Sequence, residues 1–235
     1  MATTEQSTDP WDREYQGKGI PSSYKADPST SVEWLLDMAR YIRPGWQPND
    51  AIDIGCGTGR NSLWLAQRGL SVVAIERSGV AVELVQKAIS ESGITLDVRH
   101  HDLTNGLPVG DESADIAIDT FVSFHVVERG QRAKYIEELA RILRPGGLLL
   151  LTLATADDGF YAYCPEVDGW SDWSDLPVVE DPDAKVMNVL PTESQVIDEF
   201  GAALELVATW RKSAVNVMHG RQFDRFTFCS IWKRP

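Results

Sequence analysis

Three glycines at alternate positions, set between an apolar strand and a helical pattern, constrain this chain more than any other stretch. Residues 51–54 are typical of a buried strand, Gly55, Gly57 and Gly59 follow, and a helical pattern starts at Ser62 without a linker. Glycine permits a sharp turn and lets a ligand lie against bare backbone. The helix that follows would present unpaired N–H groups and its positive dipole end to that ligand. The stretch therefore predicts a ligand-binding turn.

The spacing of this turn argues against two common nucleotide-binding motifs. It is G-x-G-x-G rather than the G-x-G-x-x-G of dinucleotide-binding turns, and no Lys-Ser or Lys-Thr follows as a phosphate-binding loop requires. A nicotinamide dehydrogenase is a weaker alternative, because the third glycine comes one residue too early. A carboxylate, Asp53, stands two residues ahead of the first glycine.

Strands and helices alternate along most of the chain, which predicts an α/β fold. The predicted strands cover residues 51–54, 71–75, 95–100, 114–120 and 148–153, helices cover about 62–69, 80–89 and 131–143, and two final strands, 204–210 and 223–232, are joined by a loop. This alternation implies right-handed crossovers and a parallel sheet covered on both faces. Ligands bind beyond the C-terminal ends of such strands, where Asp53, Glu76, Asp102 and Asp119 fall.

Two capping boxes predict further helices. Thr30 with Glu33 would open a helix that ends before the Arg-Pro-Gly sequence of residues 43–45, and Thr192 with Gln195 would open another near the C-terminus. Both helices carry apolar residues at helical spacing, so we expect them to pack on the sheet.

The turn, Asp-Ile-Gly-Cys-Gly-Thr-Gly at residues 53–59, resembles motif I of the class I S-adenosylmethionine-dependent methyltransferases. Three more signals follow in that family's order: Glu76 ends the next strand, Asp102-Leu103 follow the third strand, and Leu-Arg-Pro-Gly-Gly at 143–147 precedes the fifth. Within the family, the glycine turn most resembles the small-molecule enzymes of the tellurite-resistance and thiopurine-methyltransferase-like branch. The resemblance covers residues 51–155 and implies a Rossmann-like, doubly wound sheet of seven strands with an antiparallel C-terminal hairpin.

The resemblance also implies a reaction: direct in-line transfer of a methyl group from S-adenosylmethionine to a small molecule, with release of S-adenosylhomocysteine. Glu76 would take the ribose hydroxyls and Asp102 the adenine amino group, and His125 is a conceivable general base. The predicted cofactor-binding residues are Asp53, Gly55, Cys56, Gly57, Gly59, Arg60, Glu76, Arg77, Asp102, Leu103, Asp119 and Thr120. Two alternatives stay open: a cofactor-binding regulatory module without turnover, and an RNA-modifying methyltransferase of the same fold.

Two segments are expected to cover the site. Residues 1–29 are polar and predicted to form a lid or a flexible segment, before one methyltransferase domain over 30–235. Within it, the insertion 156–190 combines acids with aromatics and would cap a cationic or amine-bearing substrate. Arg221 and Arg225 could instead contact an anionic acceptor. The predicted substrate residues are Tyr15, Tyr24, Tyr161, Trp170 and Trp173.

Composition limits the partners and the compartment. A net charge of −13 repels phosphate backbones, which weighs against a nucleic-acid substrate. No apolar run approaches the ~18 residues of a membrane span, and the N-terminus lacks a signal peptide's order. Three scattered cysteines give neither a disulfide framework nor metal-ligand spacing, so we expect a cytoplasmic protein without a metal site. The oligomeric state stays open.

Overall fold

The computed structural model describes residues 9–235, and nine strands form two sheets within them. In chain order the strands are β1 Asp50–Ile54, β2 Ser71–Glu76, β3 Asp97–His100, β4 Ala114–Thr120, β5 Leu143–Ala154, β6 Val178–Asp181, β7 Val186–Val189, β8 Glu205–Met218 and β9 Arg221–Lys233. The main sheet has seven strands in the order β3-β2-β1-β4-β5-β9-β8. Strands β1 to β5 are parallel, and β9 runs antiparallel to both β5 and β8. The predicted fold is confirmed.

Helices cover both faces of this sheet. They are α1 Pro10–Gly17, α2 Pro21–Tyr24, α3 Thr30–Ile42, α4 Arg60–Ala66, α5 Gly79–Ser92, α6 Arg129–Ile142 and α7 Glu193–Gly201. Leu35 of α3 and Leu65 of α4 join one apolar cluster, while Leu139 of α6 and Phe200 of α7 join another on the opposite face. Alternate residues of β5 enter the two clusters, as the period of a strand requires.

The C-terminal hairpin is longer than the sequence pattern predicts. Strands β8 and β9 pair from Glu205 to Met218, and only His219 and Gly220 connect them. Both residues have positive φ, +46° and +78°, which is the geometry of a two-residue hairpin turn that follows the strand twist. The prediction of a loop between 210 and 223 is therefore wrong, because this tight turn lets the ladder continue to its end.

One of the two predicted capping boxes is present. Thr192 Oγ1 accepts from the backbone N–H of Gln195, whose Oε1 accepts from the N–H of Thr192. At α3 the prediction is wrong: the helix starts at Thr30, but Ser29 occupies the N-cap and makes no side-chain capping bond. The backbone N–H of Ser29 instead donates to Asn61 Oδ1 at 2.9 Å, so α3 is joined to α4.

The insertion over 156–190 folds into a small unit of its own. Strands β6 and β7 pair antiparallel, and short 3-10 turns at Tyr161–Tyr163 and Trp170–Asp172 precede them. The core of this unit is continuous with one of the main apolar clusters through Phe160, Leu176 and Val178. The insertion is therefore packed on the domain.

None of the helices within residues 9–235 is both long and apolar enough to cross a bilayer. The longest, α5 and α6, have 14 residues each, whereas a membrane span needs about 20.

Trp232 offers a test of this packing. It is fully buried in β9, and its ring lies 5.8 Å from that of Phe200 in α7. We expect Trp232→Ala to lower the free energy of unfolding by about 3–5 kcal/mol, because it leaves a large cavity. The measurement is urea unfolding followed by circular dichroism. Tyr41→Ala, at a residue that is 81% exposed, is the control and should change little; equal values for the two variants would contradict this packing.

Candidate active site

A single cavity of about 570 Å³ lies beyond the C-terminal ends of the parallel strands. Its floor includes Gly55 after β1, Glu76 at the end of β2, Asp102 after β3 and Thr120 at the end of β4. Its roof comes from the segment 9–29, and its far wall from the C-terminal hairpin. Elements distant in sequence therefore enclose the place where the topology predicts a ligand.

The glycine turn needs its glycines for both conformation and space. Gly55, Gly57 and Gly59 have φ of +60°, +56° and +77°, a region that other residues rarely adopt. A Cβ on Gly57 would lie 2.6 Å from the hydroxyl oxygen of Tyr15, and one on Gly55 would lie 2.5 Å from Val122. The turn is thus closely covered by α1 on one side and by the segment after β4 on the other.

Glu76 joins the glycine turn to the second strand. Its Oε2 accepts from the backbone N–H of Gly57 at 2.9 Å and its Oε1 from that of Ser78 at 2.8 Å. The side chain lines the cavity although it is almost fully buried. Burial raises the pKa of Glu76, and the hydrogen bonds from Ser78 and Gly57 offset part of that shift. The result is a carboxylate fixed in direction at the wall of the cavity.

Asp102 and Arg77 form the next part of the wall. Asp102 Oδ1 accepts from the N–H and hydroxyl of Thr104, at 3.0 and 2.9 Å, and Arg77 lies 3.7 Å from its Oδ2. Partial burial opposes ionisation, but these hydrogen bonds and the Arg77 charge outweigh it and lower the pKa of Asp102. Leu103 lines the cavity beside them. The acid therefore stays charged and available to an amino group.

Asp53 supports the turn from beneath and does not line the cavity. It is fully buried, and its Oδ2 accepts from the hydroxyl of Ser62 in α4 at 2.6 Å. Its Oδ1 has no hydrogen-bond partner among the described residues. Burial raises the pKa of Asp53 to about 6, with the Ser62 hydrogen bond and the Arg60 charge acting against that shift. This geometry favours a role in orienting the glycine turn through α4 over the predicted contact with the cofactor.

Asp119 lies outside the cavity, contrary to the sequence prediction of a cofactor contact. It is fully buried, accepts from the backbone N–H groups of Val122 and Ser123, and accepts from the hydroxyl of Tyr135 at 3.1 Å. These bonds hold the sharp turn after β4, where Phe121 has a φ of +64°. The correction has a physical reason: the carboxylate is used to close this turn, and its neighbour Thr120 lines the cavity instead.

Arg60 and Cys56 complete the predicted cofactor residues. Arg60 lines the cavity and donates to the carbonyl oxygen of Asp27 in the roof at 3.1 Å. Cys56 is buried in the turn, and its backbone N–H donates to the carbonyl of Ile75. Burial raises the pKa of the Cys56 thiol well above its usual range, so it is a protonated, structural group.

The segment 9–29 is tied to both sides of the cavity. Asp12 Oδ1 accepts from the hydroxyl of Ser78 at 2.6 Å, and the Gly19 carbonyl accepts from the backbone N–H of His219 at 2.8 Å. Glu14 stabilises the segment from within, accepting from Ile20 N and the Ser23 hydroxyl. Residues 1–8 of the predicted lid lie outside the described residues.

His125 lines the cavity between two aromatic rings, 4.6 Å from Trp11 and 4.1 Å from Phe124. Its Nδ1 is buried and has no hydrogen-bond partner among the described residues. Burial lowers the pKa of His125 to about 4, despite the neighbouring Met187 backbone and Asn188 side chain. The ring is therefore neutral at physiological pH and able to accept a proton.

Only part of the predicted substrate set reaches the cavity. Tyr15 and Tyr161 line it. Tyr24 donates to the carbonyl of Val217 on the outer side of the hairpin, Trp170 donates to Glu166, and Trp173 packs on the apolar core. Neither tryptophan lines the cavity, because both rings pack against the main apolar cluster instead.

Several lining residues escaped the sequence analysis. Lys25 and Lys212, together with Phe121, Phe124 and Met218, face the same space. They belong to the roof, to the turn after β4 and to the hairpin, and no local motif marks them. Aromatic residues directly after β4 were the one available signal, since that strand end was already expected to face the ligand.

One group of potential metal ligands occurs in the described part of the chain. Asp181, Asp183 and His219 each place one ligand atom within 4.8 Å of the others. His219 Nε2 lies 2.9 Å from Asp181 Oδ2, and Asp181 Oδ1 accepts from the backbone of Asp183 and Ala184. These contacts join the hairpin tip to the insertion.

Comparison with known proteins agrees with the geometry. The family described as "Methyltransferase domain" matches residues 51–147, which span the glycine turn, Glu76 and Asp102. Residues 51–147 therefore match an S-adenosylmethionine-dependent methyltransferase domain. The cradle of the glycine turn at Gly55, the fixed carboxylate of Glu76 and the charged Asp102 form a donor and acceptor set that fits the nucleoside of that family's cofactor.

Two curated relatives and one solved structure show what this chain is similar to. An uncharacterized methyltransferase of Emericella nidulans is 33% identical over 144 residues, 54% of this chain and 49% of the relative. The 2-heptyl-1-hydroxyquinolin-4(1H)-one methyltransferase of Mycobacteroides abscessus is 27% identical over 71% of each chain. N-methyltransferase NodS of Bradyrhizobium japonicum, solved with S-adenosylhomocysteine, shares the fold at a TM-score of 0.63 and 14% identity, over 97% of this chain and 100% of that one. The chain spans about half the length of the first curated relatives it matches.

Substitution of Gly57 tests the cradle. We expect Gly57→Ala to weaken S-adenosylhomocysteine binding at least about tenfold, because the new methyl group would collide with the Tyr15 hydroxyl, and isothermal titration calorimetry measures the affinity. Gly69→Ala is the matched control, since Gly69 also has positive φ but open space around it. Tyr15→Phe with Gly57→Ala should recover affinity, since the next ring atom lies 3.4 Å away. Equal losses in the two single variants would contradict the cradle.

Asp53 provides a test of the buried charge. Its folded pKa of about 6 exceeds the ordinary 3.8, so its ionisation lowers the free energy of unfolding as pH rises from about 4, and this penalty is complete above about 6. Asp53→Asn keeps an acceptor for Ser62 without the charge. It should stabilise the protein by up to about 3 kcal/mol at pH 8 and about half of that at pH 5, in urea titrations. A gain independent of pH would contradict the assignment.

Proposed function

We propose that the protein transfers a methyl group from S-adenosylmethionine to a small-molecule acceptor and releases S-adenosylhomocysteine. The observation that carries this proposal is that one cavity is lined both by Gly55 and Glu76 and by the side chains of Phe124, Tyr161 and Met218. The first part suits a nucleoside, and the second part suits a small apolar body. A volume of about 570 Å³ lies in the usual range of small-molecule sites.

When bound, S-adenosylmethionine supplies the reactive methyl group on a sulfonium. Under the proposal Glu76 holds the ribose hydroxyls, Asp102 and Arg77 border the adenine, and Gly55 with Gly57 provides bare backbone for the methionine part. The protein mainly orients two reactants in line and excludes water. Segment 9–29 serves as the lid, because its ties to Ser78 and His219 hold Trp11 and Tyr15 over the cavity.

His125 is the proposed proton acceptor on the acceptor side. Its imidazole faces the cavity and stays neutral at physiological pH, so it can take a proton from an acidic hydroxyl group. A pKa of about 4 makes it a weak base, which suits an acceptor that is itself readily ionised.

The enclosure favours a small molecule over RNA. The cavity lies beneath a roof tied at both sides, and the chain carries a net charge of −13. An RNA enzyme of this fold would require an open basic groove and steep salt dependence. The Mycobacteroides abscessus relative, by its name, acts on a quinolone, and this supports a small-molecule acceptor here. The narrower resemblance to the tellurite-resistance branch stays a prediction.

Glu76 gives the direct test. Glu76→Gln should weaken S-adenosylhomocysteine binding about 10- to 100-fold, because it removes a charged acceptor of hydrogen bonds. Glu83→Gln, on the exposed side of α5, is the matched control. Calorimetry with S-adenosylhomocysteine and with NAD gives the affinities. Binding of NAD alone, or equal affinity in Glu76→Gln and the wild type, would refute the cofactor assignment.

Turnover separates the enzyme from a regulatory module. We expect S-adenosylhomocysteine to accumulate when the protein is incubated with S-adenosylmethionine and a panel of hydroxylated aromatic acceptors, followed by mass spectrometry. Salt between 50 and 200 mM should have little effect on that rate. Tight cofactor binding without any methylated product would support the regulatory alternative, and product formed only with RNA would support the other.

A further inference from the structure

The part of the cavity lined by the roof and the hairpin, which we call the acceptor side, carries positive charge, although the chain as a whole is negatively charged. Lys25, Lys212 and Arg225 all line it, although the chain has 35 acidic and 22 basic residues. Lys25 comes from the roof, while Lys212 and Arg225 come from the two strands of the hairpin. Three separate elements therefore bring cations to one place.

Of the three cations, the two lysines lack a counter-ion. Lys25 Nζ donates to Asn216 Oδ1 at 2.9 Å, and Lys212 Nζ donates to the Ser31 hydroxyl at 3.1 Å. Neither lysine forms an ion pair with a carboxylate of residues 9–235. Arg225, in contrast, is neutralised by the buried Asp158, whose oxygens lie 2.9 and 2.7 Å from its Nε. The surplus charge thus belongs to Lys25 and Lys212.

The positive charges on the acceptor side repel one another. Burial lowers the pKa of Lys25, and Arg60 and Arg225 lower it further. Burial also lowers the pKa of Lys212, opposed by Cys229 and reinforced by Arg60 and Lys25. A partly buried group of like charges is unfavourable until an anion arrives. A negatively charged ligand bound between the two lysines would offset this repulsion.

The acids that line the cavity lie elsewhere. Glu76 and Asp102 stand at the ends of β2 and β3, on the side of the nucleoside, and Asp27 is exposed at the rim. The acids of the insertion are directed away from the cavity or are paired, as in Asp157 with Arg211 and Asp175 with Arg129. The cationic acceptor expected from that insertion is therefore disfavoured by the charge that faces the cavity.

Aromatic side chains line the same cavity as the two lysines. The rings of Phe124 and Tyr161 meet edge to face at 5.1 Å, and His125 packs on Phe124. Such an arrangement accommodates a flat ring and leaves the lysines to take a charged substituent. We propose that the methyl acceptor is a small hydroxylated aromatic carboxylate, whose ring packs on Phe124 and Tyr161 and whose carboxylate binds Lys25 and Lys212. Its hydroxyl oxygen would take the methyl group and release its proton to His125, and S-adenosylhomocysteine would leave. This proposal rests on the methyl transfer proposed above.

Matched probes that differ only in charge test the acceptor class. We would measure the affinities of benzoate, benzamide and benzylamine, and of the corresponding naphthalene compounds, by ligand-observed NMR on the full chain saturated with S-adenosylhomocysteine. The carboxylates should bind at least about tenfold more tightly than the amides, and the amines should bind least. Equal affinities, a preference for amines, or no carboxylate binding would overturn the proposal.

Variants assign the preference to the lysines. Lys25→Gln and Lys212→Gln should each reduce carboxylate affinity at least about fivefold and leave S-adenosylhomocysteine affinity unchanged, which also shows that the fold is intact. Lys87→Gln, at a side chain that is 72% exposed on α5, is the matched control. A carboxylate preference that survives the double variant would overturn the lysine assignment. If the wild type fails to bind S-adenosylhomocysteine, the proposed function itself fails, and the two failures are thus distinguishable.

Discussion

The hydrogen bond from the backbone of Gly57 to Glu76 is the contact on which the rest of the site depends. It joins the turn after β1 to the tip of β2, and the second oxygen of Glu76 continues the connection to the start of α5 through Ser78. The C-terminal ends of β1 and β2 are thereby held next to each other at the same edge of the sheet. Because the carboxylate is buried and saturated on one side by backbone donors, its remaining exposure is toward the cavity.

A second constraint closes the site from above. The segment 9–29 is bound to the start of α5 through Ser78 and to the hairpin through His219 and Asn216. The hairpin can serve as an anchor because its ladder continues to a two-residue turn, and that turn is held by Asp181 of the insertion. The roof, the hairpin and the insertion therefore support one another, and the enclosed volume results from all three.

The charge of the chain and the charge of its cavity differ in sign on the acceptor side. Acids of the insertion such as Asp157 form ion pairs outside the cavity, while Lys25 and Lys212 line it without a carboxylate partner among the described residues. The net charge therefore determines whether the protein attracts or repels a polyanion in solution. The charges that line the cavity determine which small molecule binds there. The two inferences, against RNA and for an anionic acceptor, are compatible for that reason.

The sequence alone predicted the parallel strands of the sheet and placed Glu76 and Asp102 at the same edge of it. Strand periodicity located β1, β2 and β4 almost to the residue, and parallel crossovers require Glu76 and Asp102 to meet at one edge. The same reasoning misplaced Asp119, because a strand-end acid can turn toward a ligand or cap its own turn, and only the positions of Val122, Ser123 and Tyr135 decide between these.

What only the tertiary structure decided is the acceptor side. Its residues come from the N-terminal roof, the turn after β4 and two strands of a hairpin, and no periodicity or motif connects them. Trp170 and Trp173 stood out in the sequence but pack against the main apolar cluster. Lys212, in contrast, carried no local signal and lines the cavity. Local patterns determine where a strand ends. How the elements pack decides which side chains from distant parts of the chain meet, as Lys25 and Asn216 do across 190 residues.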